Sequence, residues 1–154
     1  MRIITLLVLH CSATRCNQRY SFGQCRRDHV QHRHFADIGY HYYVERDGTI
    51  RHGRDESVIG AHVTHHNRHS IGICYEGGLN EQGKPTDTRT EAQRQALLTL
   101  LTDLRERYPR ALIVGHRDLS PDLNGDGCIT PREWIKQCPC FDAAKEYHSL
   151  QPGL

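Results

Sequence analysis

His10 in the phrase LVLHCSAT, His116 in VGHRD and Cys138 in KQCPCFD each place one metal-ready side chain at the end of a strand-like or short helical run. Two imidazoles and a thiolate form a donor set that suits zinc. Three protein ligands leave a fourth position open for water, the mark of a catalytic rather than a structural site. The three lie far apart along the chain, so the fold must bring them together. Cys140 is a competing thiol just beyond Cys138. Tyr40 in IGYHYYVERDGTI and Lys136, two residues before Cys138, add a phenol and an ammonium. His41 and His62 are further candidates for lining such a site and for contacting substrate, with loop packing or a hydrogen bond behind a ligand as the plainer role. Asn67 and Ser70 read as residues that fix loop geometry.

The elements that would position these groups follow from hydrophobic pattern. Residues 3–9 are a nearly unbroken Ile/Leu/Val run, the signature of a strand buried on both faces, with His10 at its C-terminal rim. Residues 22–33 are polar and histidine-rich with a weak helical pattern. After Gly39, residues 40–46 are aromatic and β-branched, and Asp47-Gly48 is expected to be a two-residue turn pairing them with residues 49–52. A loop over 54–70 carries His62, His65, His66 and His69, and Ile71 to Tyr75 form another buried strand. Thr90 with Gln93 forms a capping box, and Leu97, Leu100, Leu101, Leu104 and Tyr108 keep helical spacing until Pro109 forbids continuation. Residues 111–114 form a last strand delivering His116, and 131–136 a short helix leading to Cys138. Strands alternating with helices, plus one hairpin, predict an α/β fold: a single domain over 1–154 with a central mixed β-sheet flanked by helices.

Composition bounds the partners. With 154 residues, 20 Lys+Arg against 18 Asp+Glu and a net charge of +2, the chain is one ordinary domain without the charge for an electrostatic grip on nucleic acid, so no nucleic-acid partner is expected. Twelve histidines raise the expectation of metal chemistry. Seven cysteines, an odd number without paired spacing, argue against a secreted disulfide framework. The N-terminal apolar run is shorter than a secretion signal and is followed by no small-residue cleavage site. Nothing approaches the roughly 20 apolar residues of a membrane helix. The expectation is a monomer, cytoplasmic as synthesised, with no membrane insertion.

A second motif stands apart. Asp122, Asn124, Asp126, Cys128 (through its carbonyl), Thr130 and Glu133 fall at the oxygen-ligand positions of an EF-hand calcium loop, with Gly127 at its glycine position. No helix leads into it, and its Asn-Gly and Asp-Gly pairs are also ordinary turn dipeptides, so 122–133 is a candidate calcium-loop insertion rather than a full hand. Calcium there is expected to brace the segment that aims Lys136 and Cys138. His116-Arg117-Asp118-Leu119 imitates a kinase catalytic loop, but the other elements of phosphoryl transfer are missing.

Taken together, LVLHCSAT, IGYHYYV, NRHSIGICYEGG, VGHRD and KQCPCFD make the chain resemble the zinc-dependent N-acetylmuramoyl-L-alanine amidases, the family of phage lysozyme-type amidases related to peptidoglycan recognition proteins. The resemblance covers about residues 3–148. It implies that His10, His116 and Cys138 are the zinc ligands, Cys138 being preferred over Cys140 because it precedes Pro139. It implies that Tyr40 and Lys136 are catalytic, donors for an oxyanion that exists only near the transition state. The implied activity is hydrolysis of the amide bond between N-acetylmuramic acid and L-alanine in peptidoglycan, with cell-wall degradation as the outcome. The alternative is a non-catalytic peptidoglycan-binding or partner-regulating protein that retains the zinc.

Overall fold

The computed structural model of the protein describes residues 2–134 and 136–153. Its strands are β1 (Leu6–Cys11), β2 (Thr14–Arg15), β3 (Tyr42–Val44), β4 (Ile50–His52), β5 (Ser70–Tyr75), β6 (Gly78–Leu79) and β7 (Leu112–Gly115). Three α-helices, α1 (Phe22–Arg27), α2 (Glu91–Arg107) and α3 (Ala143–Glu146), lie among them. The main sheet runs β4-β3-β5-β1-β7, parallel except for the antiparallel β3–β4 pair, and β2 with β6 forms a small parallel ribbon. This is the mixed sheet that the alternation of patterns predicts.

Period-two alternation decides which side chains meet which layer. Leu7, Leu9 and Cys11 on β1 join Ile71, Ile73 and Tyr75 on β5 in one core, closed by Leu97, Leu100, Leu101 and Leu104 of α2 and by Phe141, Ala143 and Tyr147 near α3. The opposite face of the sheet holds a smaller cluster of Cys25, Ile38, Tyr43 and Cys74, with Tyr20, Phe22 and Tyr40 against it. His10, between Leu9 and Cys11, faces that second side. Helix α2 keeps its predicted cap: Thr90 Oγ1 accepts the Gln93 N–H at 3.1 Å, and Gln93 Oε1 accepts the Thr90 N–H at 2.9 Å. Among the described residues no helix is long and apolar enough to cross a membrane.

Three boundaries differ from expectation, each for a local reason. Strand β1 starts at Leu6 rather than Ile3, which is 81% exposed, because inter-strand pairing begins only where Leu6 meets Ser70 and Leu112. The hairpin is shorter than 40–46 with 49–52, and its loop has three residues rather than two. Glu45 N–H bonds Thr49 C=O at 2.9 Å, Gly48 N–H bonds Glu45 C=O at 2.8 Å, and Gly48 takes a φ of 89°, the bulged turn that needs glycine at its last position. The helix expected over 131–136 is a single 3-10 turn, Pro131–Glu133, capped by the Thr130–Glu133 pair and ended by extended Trp134; Ile135 of that expectation lies outside the described residues.

Candidate active site

The site is assembled where strands end. In the parallel register Leu9 of β1 lies opposite Gly115 of β7, so His10 and His116 leave adjacent strands side by side, with ring centroids 4.7 Å apart. The chain after β7 turns sharply through a 3-10 segment, His116–Leu119. Arg117 N–H at its start donates to Cys138 C=O at 2.9 Å, clipping the second histidine to the cysteine segment. Gly115 makes the clip close. A Cβ there would stand 2.6 Å from Pro139 Cδ. Cys138 Sγ accepts the backbone N–H of Cys11 at 3.1 Å.

His10, His116 and Cys138 thus present donor atoms all within 4.8 Å of one another, as the sequence predicts. His10 is 2% exposed, and burial, followed by the positive charge of His62, His116 and Lys136, holds its imidazole well below the ordinary range. Burial and Lys136 bring His116 down to about 4. Both rings therefore keep a free lone pair at neutral pH, the state a metal requires. Two neutral imidazoles and a sulfur, converging with room for a fourth ligand, fit zinc. Cys140 is not one of the three donors: its thiol donates to Gly78 C=O at 3.3 Å and faces Cys11 Sγ at 3.9 Å.

Tyr40 stands over the group with its ring centroid 5.1 Å from that of His10. It lies just outside β3 and is held by neighbours. Gly39 N–H donates to His29 Nδ1 at 2.9 Å, and Tyr40 C=O accepts the Arg54 N–H at 3.0 Å. Burial, then the thiols of Cys74, Cys138 and Cys25, push its phenol well above the usual range, so it stays protonated and able to donate. Lys136, itself exposed, lines the same cleft two residues before half-buried Cys138. The cleft has a volume of about 920 Å³, which is substrate-sized rather than ion-sized.

The remaining candidates divide. His62 lines the cleft beside His10, with its Nδ1 2.8 Å from His10 Nε2. His41 does not reach the cleft: it is 1% exposed, its Nδ1 accepts the Gly72 N–H at 3.0 Å and its Nε2 lies 2.8 Å from Val58 C=O, so it ties loop to sheet. Asn67 fixes the loop as expected, its Oδ1 accepting the N–H groups of His62 and Val63 at 2.9 and 3.0 Å.

In the 122–133 loop the carboxylates of Asp122, Asp126 and Glu133 do gather. Their oxygens, however, accept the loop's own amides: Asp122 from Gly125 and Gly127, Asp126 from Cys128, and Glu133 from Leu123 and Thr130. Asn124 Oδ1 likewise accepts from Asp126, and Thr130 Oγ1 donates to Glu133. These bonds account for the loop's shape, and calcium there finds no support.

One wall of the cleft was not singled out in the sequence. It comes from α1, the π-helical turn Asp28–His32 that continues it and the residues just before and after them, and it brings in Tyr20, Asp28, His29, His32, Arg33 and Phe35. The signal available was the capping box of Ser21 with Gln24 that starts α1.

The family model described as N-acetylmuramoyl-L-alanine amidase matches residues 1–139. The endolysin of Enterobacteria phage K11 is 37% identical over 134 residues, 87% of this chain and 79% of that protein. Among solved structures, the endolysin N-acetylmuramoyl-L-alanine amidase LysCS from Clostridium intestinale superposes with a TM-score of 0.70 at 26% identity, covering 94% of this chain and 80% of that one. Drosophila PGRP-LB shares the fold, with a TM-score of 0.69 at 23% identity over 97% of this chain and 82% of its own.

Proposed function

The chain belongs to the N-acetylmuramoyl-L-alanine amidase family, and from that membership we propose that it is a zinc-dependent hydrolase cleaving the amide bond between N-acetylmuramic acid and L-alanine in peptidoglycan. The observation that carries the reading is the convergence of His10, His116 and Cys138 beneath Tyr40 in one substrate-sized cleft. The endolysin relatives support a cell-wall substrate.

What zinc supplies when bound by these three residues is polarisation of the amide carbonyl and an acidified water. His10 and His116 contribute as neutral donors, which their depressed basicity secures without a competing proton. Tyr40, kept protonated by its surroundings, donates its O–H to the oxygen that gains charge as the carbonyl becomes tetrahedral. Lys136 adds a positive charge at the same rim. Both contributions grow as charge develops, so they lower the barrier rather than tighten ground-state binding.

The test is release of new L-alanine amino termini from purified cell-wall fragments by the zinc-loaded protein, compared with Tyr40→Phe and Lys136→Ala. Loss of a preorganised oxyanion donor costs about 2.7–4 kcal/mol, so Tyr40→Phe should retain roughly one part in 10² to 10³ of the turnover. A zinc-saturated wild type that releases no amino termini sinks the enzyme reading in favour of a binding protein that keeps its metal.

A further inference from the structure

We propose that His62 is a positioning residue: it accepts the Nε2–H of His10 and thereby turns Nδ1 of that ring toward the metal, an inference that rests on the zinc reading above. His62 Nδ1 lies 2.8 Å from His10 Nε2, and His62 Nε2 lies 3.2 Å from the Oγ of fully buried Ser70. The two imidazoles meet edge-on, with centroids 4.9 Å apart and planes at 87°.

Two proton arrangements satisfy this chain of three groups. In one, Ser70 donates to His62 Nε2 and His62 donates from Nδ1 to His10, which forces a proton onto His10 Nδ1 and removes its last lone pair. In the other, His62 donates from Nε2 to Ser70 and accepts at Nδ1 from His10, which leaves His10 Nδ1 free. Only the second is compatible with His10 as a ligand through Nδ1. Ligation through Nε2 instead would set the ion against His62 for one lone pair. A metal-bound histidine normally passes its other ring N–H to a fixed acceptor, and here that acceptor is an imidazole.

The slot for His62 is built into the backbone. A Cβ on Gly72 would stand 2.6 Å from His62 Cγ and Cδ2, and one on Gly60 would stand 2.9 Å from His62 Cδ2. Glycine at both positions leaves room for the ring behind His10. Asn67 Oδ1 then holds the His62 backbone N–H at 2.9 Å. His62 is not one of the three convergent donors, so its place is behind a ligand and not as a fourth one.

The experiment measures zinc affinity of the full chain by chelator competition for wild type, His62→Ala, His62→Asn and His62→Gln. Alongside it, the ring tautomer of His10 is read from nitrogen-15 shifts in the metal-free wild type and in His62→Ala. His62→Ala should lose about 10- to 100-fold in affinity, the usual effect of removing such a partner. Asparagine places its Oδ1 near the former Nδ1 and should recover most of the loss. Glutamine places its amide near the former Nε2 and should not. His10 should be protonated on Nε2 in wild type and mixed in His62→Ala. Wild-type affinity in a folded His62→Ala, rescue by glutamine but not asparagine, or a wild-type His10 protonated on Nδ1 overturns the proposal. So does a zinc X-ray absorption spectrum showing one fewer imidazole in His62→Ala, which would make His62 a ligand. If wild type binds no zinc, the hydrolase reading fails while the wild-type tautomer still decides this one.

Discussion

Gly115→Ala tests whether the closeness of two chain segments is what makes the proposed metal site. Gly115 has φ −89° and ψ 158°, a conformation any residue adopts, so the backbone does not demand glycine. On backbone grounds alone, alanine should stabilise the protein by about 0.4–1 kcal/mol by stiffening the unfolded chain. Against that, its Cβ would stand 2.6 Å from Pro139 Cδ and 3.1 Å from Cγ, atoms of a ring that cannot swing aside. Overpacking of this kind costs about 1–3 kcal/mol. The difference is a net loss of up to about 2.6 kcal/mol, which at roughly 2–4 °C per kcal/mol lowers Tm by several degrees. Relief of the clash moves Pro139 away from Gly115, and with it Cys138 from His116. Zinc affinity should therefore fall as well, and each tenfold removes about 1.4 kcal/mol of the stabilisation zinc provides. The Tm deficit should be larger in saturating zinc than with chelator. Differential scanning calorimetry in both conditions decides it: an alanine variant with raised Tm and unchanged zinc affinity would refute the reasoning.

Three further outcomes follow from the same geometry. His116 is held down from 6.5 to about 4, so the unfolded chain takes up its proton first as pH falls; metal-free protein should lose stability between those values and be flat above them, which urea midpoints against pH will show, and the His116→Ala profile should be shallower. Cys138→Ser should abolish tight zinc binding while Cys140→Ser keeps it, measured by chelator competition; equal losses would mean that the thiol assignment is wrong. Leu101→Ala, at a fully buried position of α2 on the far face of the sheet, should cost about 2–5 kcal/mol in denaturant unfolding and leave the zinc affinity of the folded protein unchanged.

The chemistry-bearing residues His10, Tyr40 and His116 were legible because each follows or joins an apolar run whose end places a side chain at a rim, and Cys138 because it stands two residues after Lys136 and before Pro139. Their convergence was legible only through the family resemblance, because strand order is a tertiary fact: nothing local says that β1 sits between β5 and β7, and only that order puts Leu9 opposite Gly115. The capped helix over 91–107 was legible since its cap and leucine spacing act within a few turns. His29 was one histidine among twelve, and its role depends on a π-helical turn that carries its Nδ1 beneath the Gly39 N–H. The Asp-Gly dipeptide supports both two- and three-residue hairpin loops, and pairing of Glu45 with Thr49 selects the longer. Past Glu133 a tertiary contact overrides local helical preference, since the Arg117 guanidinium stacks on the Trp134 ring with 3.9 Å to its centroid.

The core on one face of the sheet also determines the placement of His10 on the other. A strand that slips by one residue turns every side chain to the opposite face. For β1 that would take Leu7 and Leu9, both with no accessible surface, out of the leucine layer of α2 to the opposite face, and drive His10 into that layer. The leucines would lose their packing against α2, and an imidazole forced into that layer without partners would cost about 1–3 kcal/mol in desolvation. The register that aims His10 at the cleft is therefore held by residues that never touch the site. Gly72 on the neighbouring strand lies beside the same β1 segment, opposite Val8, and its missing side chain opens the space for His62 on the cleft face. Hydrophobic burial on one side and an absent Cβ on the other together set where His10 and its hydrogen-bond partner stand.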